Sequence, residues 1–258
     1  MGKSIIVANQ KGGVGKTTTV VNLSAYLAEA GNKILIVDLD SQGSSCSGLG
    51  VVKEESTKGL YEALLGIVEV KDIIIPTEIK NLYIIPSNIN LSGAQVEMVE
   101  MQRREFKLKN VVDKVKNSYD YIFIDSPPSL GLLTINGLVA SDAVIIPIQC
   151  EYYALEGLSQ LLKTINLVKQ RLNHALELDG VILTMYDTRT NLSKQVVEEV
   201  LAYFKNKVYK TIIPRNIRLA EAPSYGKPIS HYDPRSIGAV SYYNLSKELM
   251  KNGEKSVR

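Results

Sequence analysis

Short apolar runs alternate with longer segments of mixed polarity along this chain. The runs are rich in isoleucine and valine and contain few polar positions, which is typical of strands buried on both faces of a parallel sheet. Seven runs are predicted strands: Ser4–Asn9, Lys33–Asp40, Asn81–Ser87, Asp120–Asp125, Asp142–Ile148, Gly180–Tyr186 and Lys210–Pro214.

Between the runs, apolar residues recur every three or four positions, as they do on the buried face of a helix. Such segments predict helices at Thr17–Ala30, Leu155–Leu172, Val196–Phe204 and Ile237–Leu249. Repeated strand–helix–strand units indicate an α/β fold, with a doubly wound, mostly parallel sheet flanked by helices on both faces. Because no linker or internal repeat divides the sequence, we expect residues 1–258 to form a single domain.

The composition indicates a folded protein of ordinary kind. Of the 258 positions, 45% are hydrophobic and 22% charged, and the net charge of +3 permits contact with nucleic acid without requiring it. The 2 cysteines, Cys46 and Cys150, are far apart and lack metal-ligand spacing, which favours a reducing compartment and gives a zinc site no support. No run approaches the ~20 apolar residues that span a bilayer, so we expect a soluble, cytoplasmic protein.

The segment QKGGVGKTT, Gln10–Thr18, lies between the first predicted strand and the first predicted helix. It ends like the phosphate-binding pattern G-x-x-x-x-G-K-[ST], in the strand–loop–helix context that this pattern requires. Two features of its start are unusual, because Gln10 replaces the first glycine and Lys11 adds a second lysine. We interpret the segment as the phosphate loop of a nucleotide-binding site.

Each residue type in this loop suits phosphate chemistry. Glycines let backbone N–H groups surround a phosphate, and the start of a helix adds a partial positive charge. Lys16 is expected to reach the β- and γ-phosphates, and the Thr17 hydroxyl to ligate Mg²⁺. The predicted nucleotide-binding residues of the loop are Lys11, Gly12, Gly13, Val14, Gly15, Lys16, Thr17 and Thr18.

Carboxylates end two of the predicted strands. Asp125 closes YIFID and suits the acid that holds Mg²⁺, often through water. Asp38 and Asp40 close the second strand, where a period of two places them on one face. Asp40, the outer one, is better placed to orient or deprotonate an attacking water. The alternative is that both are solvated loop acids. The candidate metal residues are Thr17, Asp40 and Asp125.

Lys11 is surplus within its own loop, because Lys16 already serves the bound phosphates. If two copies met face to face, Lys11 could reach the phosphates of the other subunit and neutralise transition-state charge, as an arginine finger does. Gly12 beside it would let two backbones approach. The alternative is an incidental lysine that points to solvent. On the first interpretation Lys11 and Gly12 belong to a dimer interface, and the candidate catalytic residues are Lys11, Lys16 and Asp40.

The motif KGGVGKTT resembles the deviant Walker A loop of the ParA/MinD group of P-loop NTPases, whose signature is the extra lysine. Similarity to the ParA/Soj branch of chromosome- and plasmid-partitioning proteins extends along nearly the whole chain. The segments that carry it are VDLDSQG (Val37–Gly43), SGLG (Ser47–Gly50), IDSPPSLGLLTINGL (Ile124–Leu138), QCEYYALEGLSQLL (Gln149–Leu162) and IPRNIRLAEAPSYGKPI (Ile213–Ile229).

The resemblance implies an ATPase that uses ATP and Mg²⁺ and forms a sandwich dimer when ATP is bound. It implies that Lys11 contacts the partner subunit's nucleotide, that Asp40 is the hydrolytic aspartate, and that Pro214 and Asn216 lie near the adenine. The dimer of such proteins binds double-stranded DNA without sequence preference, which implies a place on the nucleoid. A ParB-type protein stimulates their slow hydrolysis, and a replication initiator is a further candidate partner.

The resemblance also selects two arginines from a scattered basic surface. Positions that match Arg189 and Arg218 belong to the DNA-binding surface of Soj-like proteins, whereas composition alone leaves a solvated basic face as an equal alternative. One residue departs from the family pattern, since Ser41 follows Asp40 where the family usually has proline. That change bears on the stiffness of the loop and on the basal hydrolysis rate.

Three other functions remain open from the sequence. A MinD-like membrane-associated ATPase would need an amphipathic C-terminal helix, but the tail KELMKNGEKSVR has few apolar residues and is expected to be interrupted at Asn252-Gly253. A metabolic enzyme of the same nucleotide-binding group would need cluster-binding cysteines or a small-substrate pocket. A regulatory protein that holds ATP without turnover is the third alternative.

Overall fold

The computed structural model describes residues 2–52, 57–151 and 157–256. Its strands are β1 (Lys3–Val7), β2 (Ile34–Asp38), β3 (Ile75–Pro76), β4 (Leu82–Ile85), β5 (Tyr121–Asp125), β6 (Ala143–Gln149) and β7 (Glu177–Thr184). Its helices are α1 (Lys16–Glu29), α2 (Ser44–Gly48), α3 (Leu60–Leu64), α4 (Leu91–Glu97), α5 (Lys107–Asp113), α6 (Leu132–Ala140), α7 (Leu158–Arg171), α8 (Asn191–Phe204), α9 (Ile217–Glu221), α10 (Ile229–Tyr232) and α11 (Ile237–Ser256).

The described strands form one sheet in the order β3-β4-β2-β5-β1-β6-β7. Neighbouring strands are parallel except for β3 and β4. The carboxyl end of β1 is a topological switch point, because the chain continues to β2 on one side and later reaches β6 on the other. Val7 of β1 and Asp38 of β2 both pair in register with Asp125 of β5. Three strand ends therefore meet at one edge of the sheet.

Both faces of the sheet are buried, as the continuous apolar runs predict. Ile6 of β1 packs in the core cluster that contains Leu138 of α6, whereas Ile5 and Val7 pack in the cluster that contains Leu23 of α1. Each fully buried aliphatic side chain contributes about 1.5–3 kcal/mol to folding. The predicted doubly wound, mostly parallel α/β fold is confirmed, and its two cores fix the loops at the carboxyl edge.

One predicted strand is wrong. Among the described residues, the region of Lys210–Pro214 forms only isolated bridges, between Val208 and Val181 of β7 and between Pro214 and Tyr186 beyond the end of β7. The backbone N–H groups of Lys210 and Thr211 donate to the Glu248 carboxylate in α11, at 2.7 and 3.0 Å, and Pro214 has no N–H to donate. The hydrogen-bond ladder is therefore interrupted. The sequence also gives no signal for β3, since two residues carry no periodicity.

The predicted helices have shifted ends. α8 begins at Asn191 rather than Val196, because the Thr190 side chain caps it by accepting from Ser193 N. The predicted start at Leu155 lies outside the described residues, and α7 is described from Leu158.

α11 is longer than predicted. It continues through Asn252-Gly253 to Ser256, so the expected interruption of the tail is wrong. A glycine inside a helix costs only about 1 kcal/mol relative to alanine. The helix withstands that cost because one of its faces is buried in the core at Ala239, Tyr242, Leu245 and Leu249. Among the helices that the structure describes, none has the length and apolar character needed to cross a membrane.

Candidate active site

The phosphate loop leaves the carboxyl end of β1 and is held from three directions. Asn9 donates from Nδ2 to Pro147 O at 2.7 Å and accepts from Lys11 N at 3.0 Å, which fixes the entry to the loop. The Thr184 hydroxyl at the end of β7 donates to Val14 O at 2.9 Å. The Val14 side chain is buried, so it anchors the loop and leaves only its backbone to a ligand. The loop is thus shaped before any phosphate binds.

The glycines of the loop differ in what they require. Gly13 and Gly15 have φ values of 72° and 88°, in the left-handed region where other residues are strained. Gly15 immediately precedes α1, so this turn aims the N-terminal N–H groups of the helix into the loop. Gly12 is exposed, and a Cβ there would touch Pro128 Cβ only at 4.0 Å. Contacts within the described chain therefore do not explain a glycine at position 12.

The two lysines of the loop occupy different environments. Lys16 is 7% exposed, and its Nζ donates to Lys11 O at 3.2 Å across the loop. Burial lowers the pKa of Lys16, while the nearby Asp125 and Asp40 carboxylates oppose that change. The Lys11 side chain is only partly buried, and its Nζ has no hydrogen-bond partner among the residues that the structure describes. Lys16 lines the phosphate loop cavity, whereas Lys11 is not part of its wall.

Asp125 is fully buried at the end of β5. Its Oδ2 accepts from Ser45 Oγ at 2.8 Å, and its Oδ1 accepts no hydrogen bond from the described part of the chain. Burial raises the pKa of Asp125 from 3.8 to about 6, although the neighbouring Thr17 and Ser45 hydroxyls and Lys16 oppose that rise. A buried, unpaired carboxylate oxygen beside a lysine and a threonine is a fitting neighbour for a bound cation.

Asp38, the last residue of β2, and Asp40, in the turn beyond it, lie in two different environments. Asp38 is buried, and its carboxylate accepts from Asp40 N at 3.3 Å and Cys46 N at 3.4 Å. Asp38 thereby shapes the turn that leads into α2. Asp40 is partly exposed, and its Oδ1 accepts from Gln42 N at 3.1 Å. Of the two, only Asp40 presents its carboxylate to the phosphate loop cavity.

Most of the predicted phosphate and metal residues line one cavity of about 260 Å³, but Lys11, Val14 and the fully buried Asp125 are not part of its wall. It contains seven of the predicted site residues: Gly12, Gly13, Gly15, Lys16, Thr17, Thr18 and Asp40. Among the described residues no group of three or more histidine, cysteine or acidic side chains could hold a metal. The candidate ligands Thr17, Asp40 and Asp125 suit Mg²⁺ better than a metal ion whose ligands all come from the protein. At nucleotide sites Mg²⁺ takes one or two protein ligands and completes its shell with phosphates and water.

A second cavity of about 480 Å³ adjoins the first and shares Gly15, Thr18 and Met185 with it. Pro214 and Asn216 lie in its wall, together with side chains of α9, Tyr242 of α11 and Thr184 at the end of β7. Asn216 caps α9 by accepting from Leu219 N through Oδ1 at 3.3 Å, which leaves its Nδ2 group for a ligand. Flat apolar walls with one amide group suit a purine base.

Arg189 and Arg218 are part of neither cavity wall and are both exposed. Arg189 forms a two-point ion pair with Asp187, at 2.9 and 2.6 Å, and holds the pKa of that carboxyl well below its usual range. Arg218 lies between Glu221 at 2.9 Å and Asp233 at 3.4 Å. Each guanidinium is therefore partly neutralised within the chain, which the scatter of basic residues in the sequence does not indicate.

The segment that carries Arg218 also packs against the turn that follows α2. α9 continues into the turn Ala222–Tyr225 and then Gly226, which lies against Gly50 just beyond α2. Both glycines are left-handed, and a Cβ on Gly226 would lie 2.6 Å from Gly50 Cα. Only glycine at both positions permits this contact.

Sequence reasoning missed three side chains that build the site: Asn9, Ser45 and Thr184. Asn9 has a detectable signal, since an amide directly after a buried strand commonly organises the next turn. Ser45 and Thr184 have none, because their partners are distant in sequence.

Three comparisons with known proteins agree with this geometry. A family model described as an AAA domain matches residues 2–178. The Bacillus subtilis sporulation initiation inhibitor protein Soj is 58% identical over 253 residues, covering 98% of this chain and 100% of that protein. The Myxococcus xanthus chromosome partitioning protein ParA is 53% identical over 251 residues, covering 97% and 89% respectively.

A solved structure has the same fold. The crystal structure of cobyrinic acid a,c-diamide synthase from Mycobacterium smegmatis, with bound ADP and magnesium, has a TM-score of 0.88 and 38% identity. It covers 100% of this chain and 97% of that chain. Identity to Soj is higher, at 58%, and extends over the full length of that protein. This chain belongs to the Soj/ParA family of chromosome-partitioning ATPases.

Proposed function

We propose that this chain is an ATP-driven DNA-partitioning switch in which residues 1–258 act as one ATPase domain. Binding of ATP with Mg²⁺ brings two copies together as a sandwich dimer. The dimer binds double-stranded DNA without sequence preference, and a ParB-type partner stimulates hydrolysis to release it. The repeated cycle drives segregation of a chromosome or plasmid.

The division of labour between the two lysines carries this proposal. Lys16 is buried and its amine donates across the loop, whereas Lys11 is partly exposed and is not part of the cavity wall. Gly12 beside Lys11 is exposed, and the described part of the chain leaves room for a side chain at this position. A second copy placed against this surface gives both features a purpose, because Lys11 then reaches the neighbour's phosphates and Gly12 admits the neighbour's backbone.

Hydrolysis follows from the groups around the loop. Lys16 and the N–H groups at the start of α1 hold the phosphates, and Lys16 leaves Lys11 O to do so. Thr17, and Asp125 through water, would hold Mg²⁺, which would supply positive charge to the phosphates when bound. Asp40 orients the attacking water and accepts its proton. Lys11 of the partner subunit adds positive charge that water cannot supply in the closed interface.

The adjoining cavity of about 480 Å³ takes the adenine. Pro214 supplies a flat apolar surface, and Asn216 offers Nδ2 as a donor to a ring nitrogen of the base. Both residues belong to the segment that leads into α9 and Arg218. Base binding and the DNA surface therefore use one continuous stretch of chain.

Arg189 and Arg218 contact DNA phosphates rather than bases. Each must exchange a carboxylate partner for a phosphate, so one protomer binds weakly. Two such surfaces in one dimer raise the affinity through multivalency. ATP thereby controls DNA binding by controlling dimerisation, which supports a cytoplasmic protein associated with the nucleoid. A replication initiator is a further proposed partner of the same dimer.

The decisive experiment combines sizing with DNA retention. Asp40→Ala, which binds ATP but cannot activate water, should have about twice the 28.5 kDa monomer mass with ATP–Mg²⁺ and be retained on random duplex DNA. Arg218→Glu in the same background should reach the same mass but lose DNA retention. Wild-type turnover should rise with DNA and a ParB-type protein together. A monomer with ATP at every protein concentration would refute the proposal.

A further inference from the structure

Ser45 is a fully buried hydroxyl with a specific partner in the nucleotide site. It lies in the first turn of α2 and donates to Asp125 Oδ2 at 2.8 Å, across 80 positions of sequence. Its partner is therefore the acid that the sequence predicts for the metal site.

The contact divides the two oxygens of the Asp125 carboxylate. Oδ2 accepts from Ser45, and Oδ1 is buried with no hydrogen bond of ordinary geometry from the described residues, although the nearby Thr17 hydroxyl lowers the pKa of the acid. A carboxylate rotates freely about its last bond unless one oxygen is held. With Oδ2 fixed, Oδ1 is the oxygen left to accept from a cation-bound water.

The same contact secures the helix that follows Asp40. Cys46 N donates to Asp38 Oδ2 at 3.4 Å, so neighbouring residues of α2 are tied to the ends of two adjacent strands. Asp38 and Asp125 are themselves paired in register. Asp40 precedes α2 by a short turn, and its position relative to Asp125 therefore depends on these two ties.

We propose that Ser45 is a positioning residue that orients the Asp125 carboxylate towards the Mg²⁺ of a bound nucleotide and holds α2 against it. This inference rests on the proposed function, because it assumes that nucleotide binds here with Mg²⁺. Groups that orient metal ligands from behind typically change metal affinity or activity 10–100-fold when they are removed. Ser45 should act in the same way through Asp125.

The test measures affinity for a fluorescent ADP analogue in EDTA and in saturating Mg²⁺. Wild type should bind more tightly with Mg²⁺, and Ser45→Ala should lose about tenfold of that gain while its affinity in EDTA stays within about twofold. Ser45→Thr keeps the hydroxyl and should retain the gain. Ser47→Ala is the matched control, since Ser47 is exposed and, within the described part of the chain, its hydroxyl donates only to Gly43 O at 3.3 Å.

The outcomes separate this inference from the proposed function. If wild type shows no gain of affinity with Mg²⁺, the proposed function fails. If wild type shows the gain and Ser45→Ala shows it equally, the role of Ser45 is refuted. An equal loss in EDTA and in Mg²⁺ would also refute it, because that result describes a general packing defect. Should Ser45→Ala not fold, Ser45→Cys keeps the volume, weakens the donor and must give the same selective loss.

Discussion

Asp125 makes the stability of the ligand-free protein depend on pH in a direction opposite to most carboxylates. Burial raises its pKa from 3.8 to about 6, so the folded chain keeps a proton there that the unfolded chain has released. Because the folded state binds more protons between about pH 4 and pH 6, the free energy of unfolding falls as pH rises through that range and is flat above it. The ionised acid is thus a destabilising element until a cation binds.

The size of the effect follows from the shift. About two pKa units at about 1.4 kcal/mol each give a ceiling of about 3 kcal/mol lost on going from about pH 4 to pH 7 or above. Asp125→Asn cannot ionise, so in EDTA it should be more stable than wild type at pH 7.5, by up to about 3 kcal/mol. Changes in packing alter the unfolding free energy of Asp125→Asn by an amount that does not vary with pH. The informative quantity is therefore how the difference in unfolding free energy between Asp125→Asn and wild type depends on pH.

Urea unfolding followed by circular dichroism, in EDTA at several pH values from about 4.5 to 8, measures that difference. Asp113→Asn is the matched control, since the Asp113 side chain is 47% exposed and its ion pair among the described residues is with Lys109 on the surface. Its difference from wild type should stay within a few tenths of a kcal/mol. A difference between wild type and Asp125→Asn that is the same at pH 5 and pH 8 would show that burial does not shift this acid.

Two further substitutions test the DNA surface and its contact with the turn that follows α2. Asp187→Asn removes the charge that neutralises Arg189, so binding to random duplex DNA should tighten. The slope of log affinity against log salt concentration should steepen by about one. An unchanged slope would mean that Arg189 contacts no phosphate. Gly226→Ala adds left-handed strain and a clash with Gly50, and should cost about 2–3 kcal/mol by urea unfolding. Gly66→Ala carries similar strain with open space around it and should cost about 1 kcal/mol, and equal costs would deny the Gly50 contact any importance.

The sequence predicts the sheet and the phosphate loop well because both depend on local pattern. Continuous apolar runs can only be satisfied inside a two-sided sheet, and the strand–glycine loop–helix order places Lys16 without knowledge of the rest of the chain. The failure at Lys210–Pro214 has a distant cause. The Glu248 carboxylate takes the backbone donors of that run, and nothing near the run in sequence reports it.

Contacts between residues distant in sequence also explain which parts of the site could not be predicted from the sequence. The Ser45–Asp125 contact joins two segments 80 positions apart, and its geometry exists only once β2 and β5 are paired. The neutralisation of Arg218 by Asp233 likewise depends on how α9 and the end of α10 fold together. Residue types indicate which groups could do chemistry, but the distances that select among them come from packing.

The central claim is that Lys11 acts on the nucleotide of the other subunit, and a mixing experiment tests it most directly. Lys11→Ala and Asp40→Ala should each be nearly inactive alone, even with DNA and a ParB-type protein. In a mixed dimer, the Lys11→Ala protomer keeps its own Asp40 and receives Lys11 from its partner. An equal mixture should therefore recover about one quarter of wild-type turnover, since half of the dimers are mixed and each has one complete site. A mixture as inactive as its components would show that Lys11 acts within its own subunit, and would contradict the account.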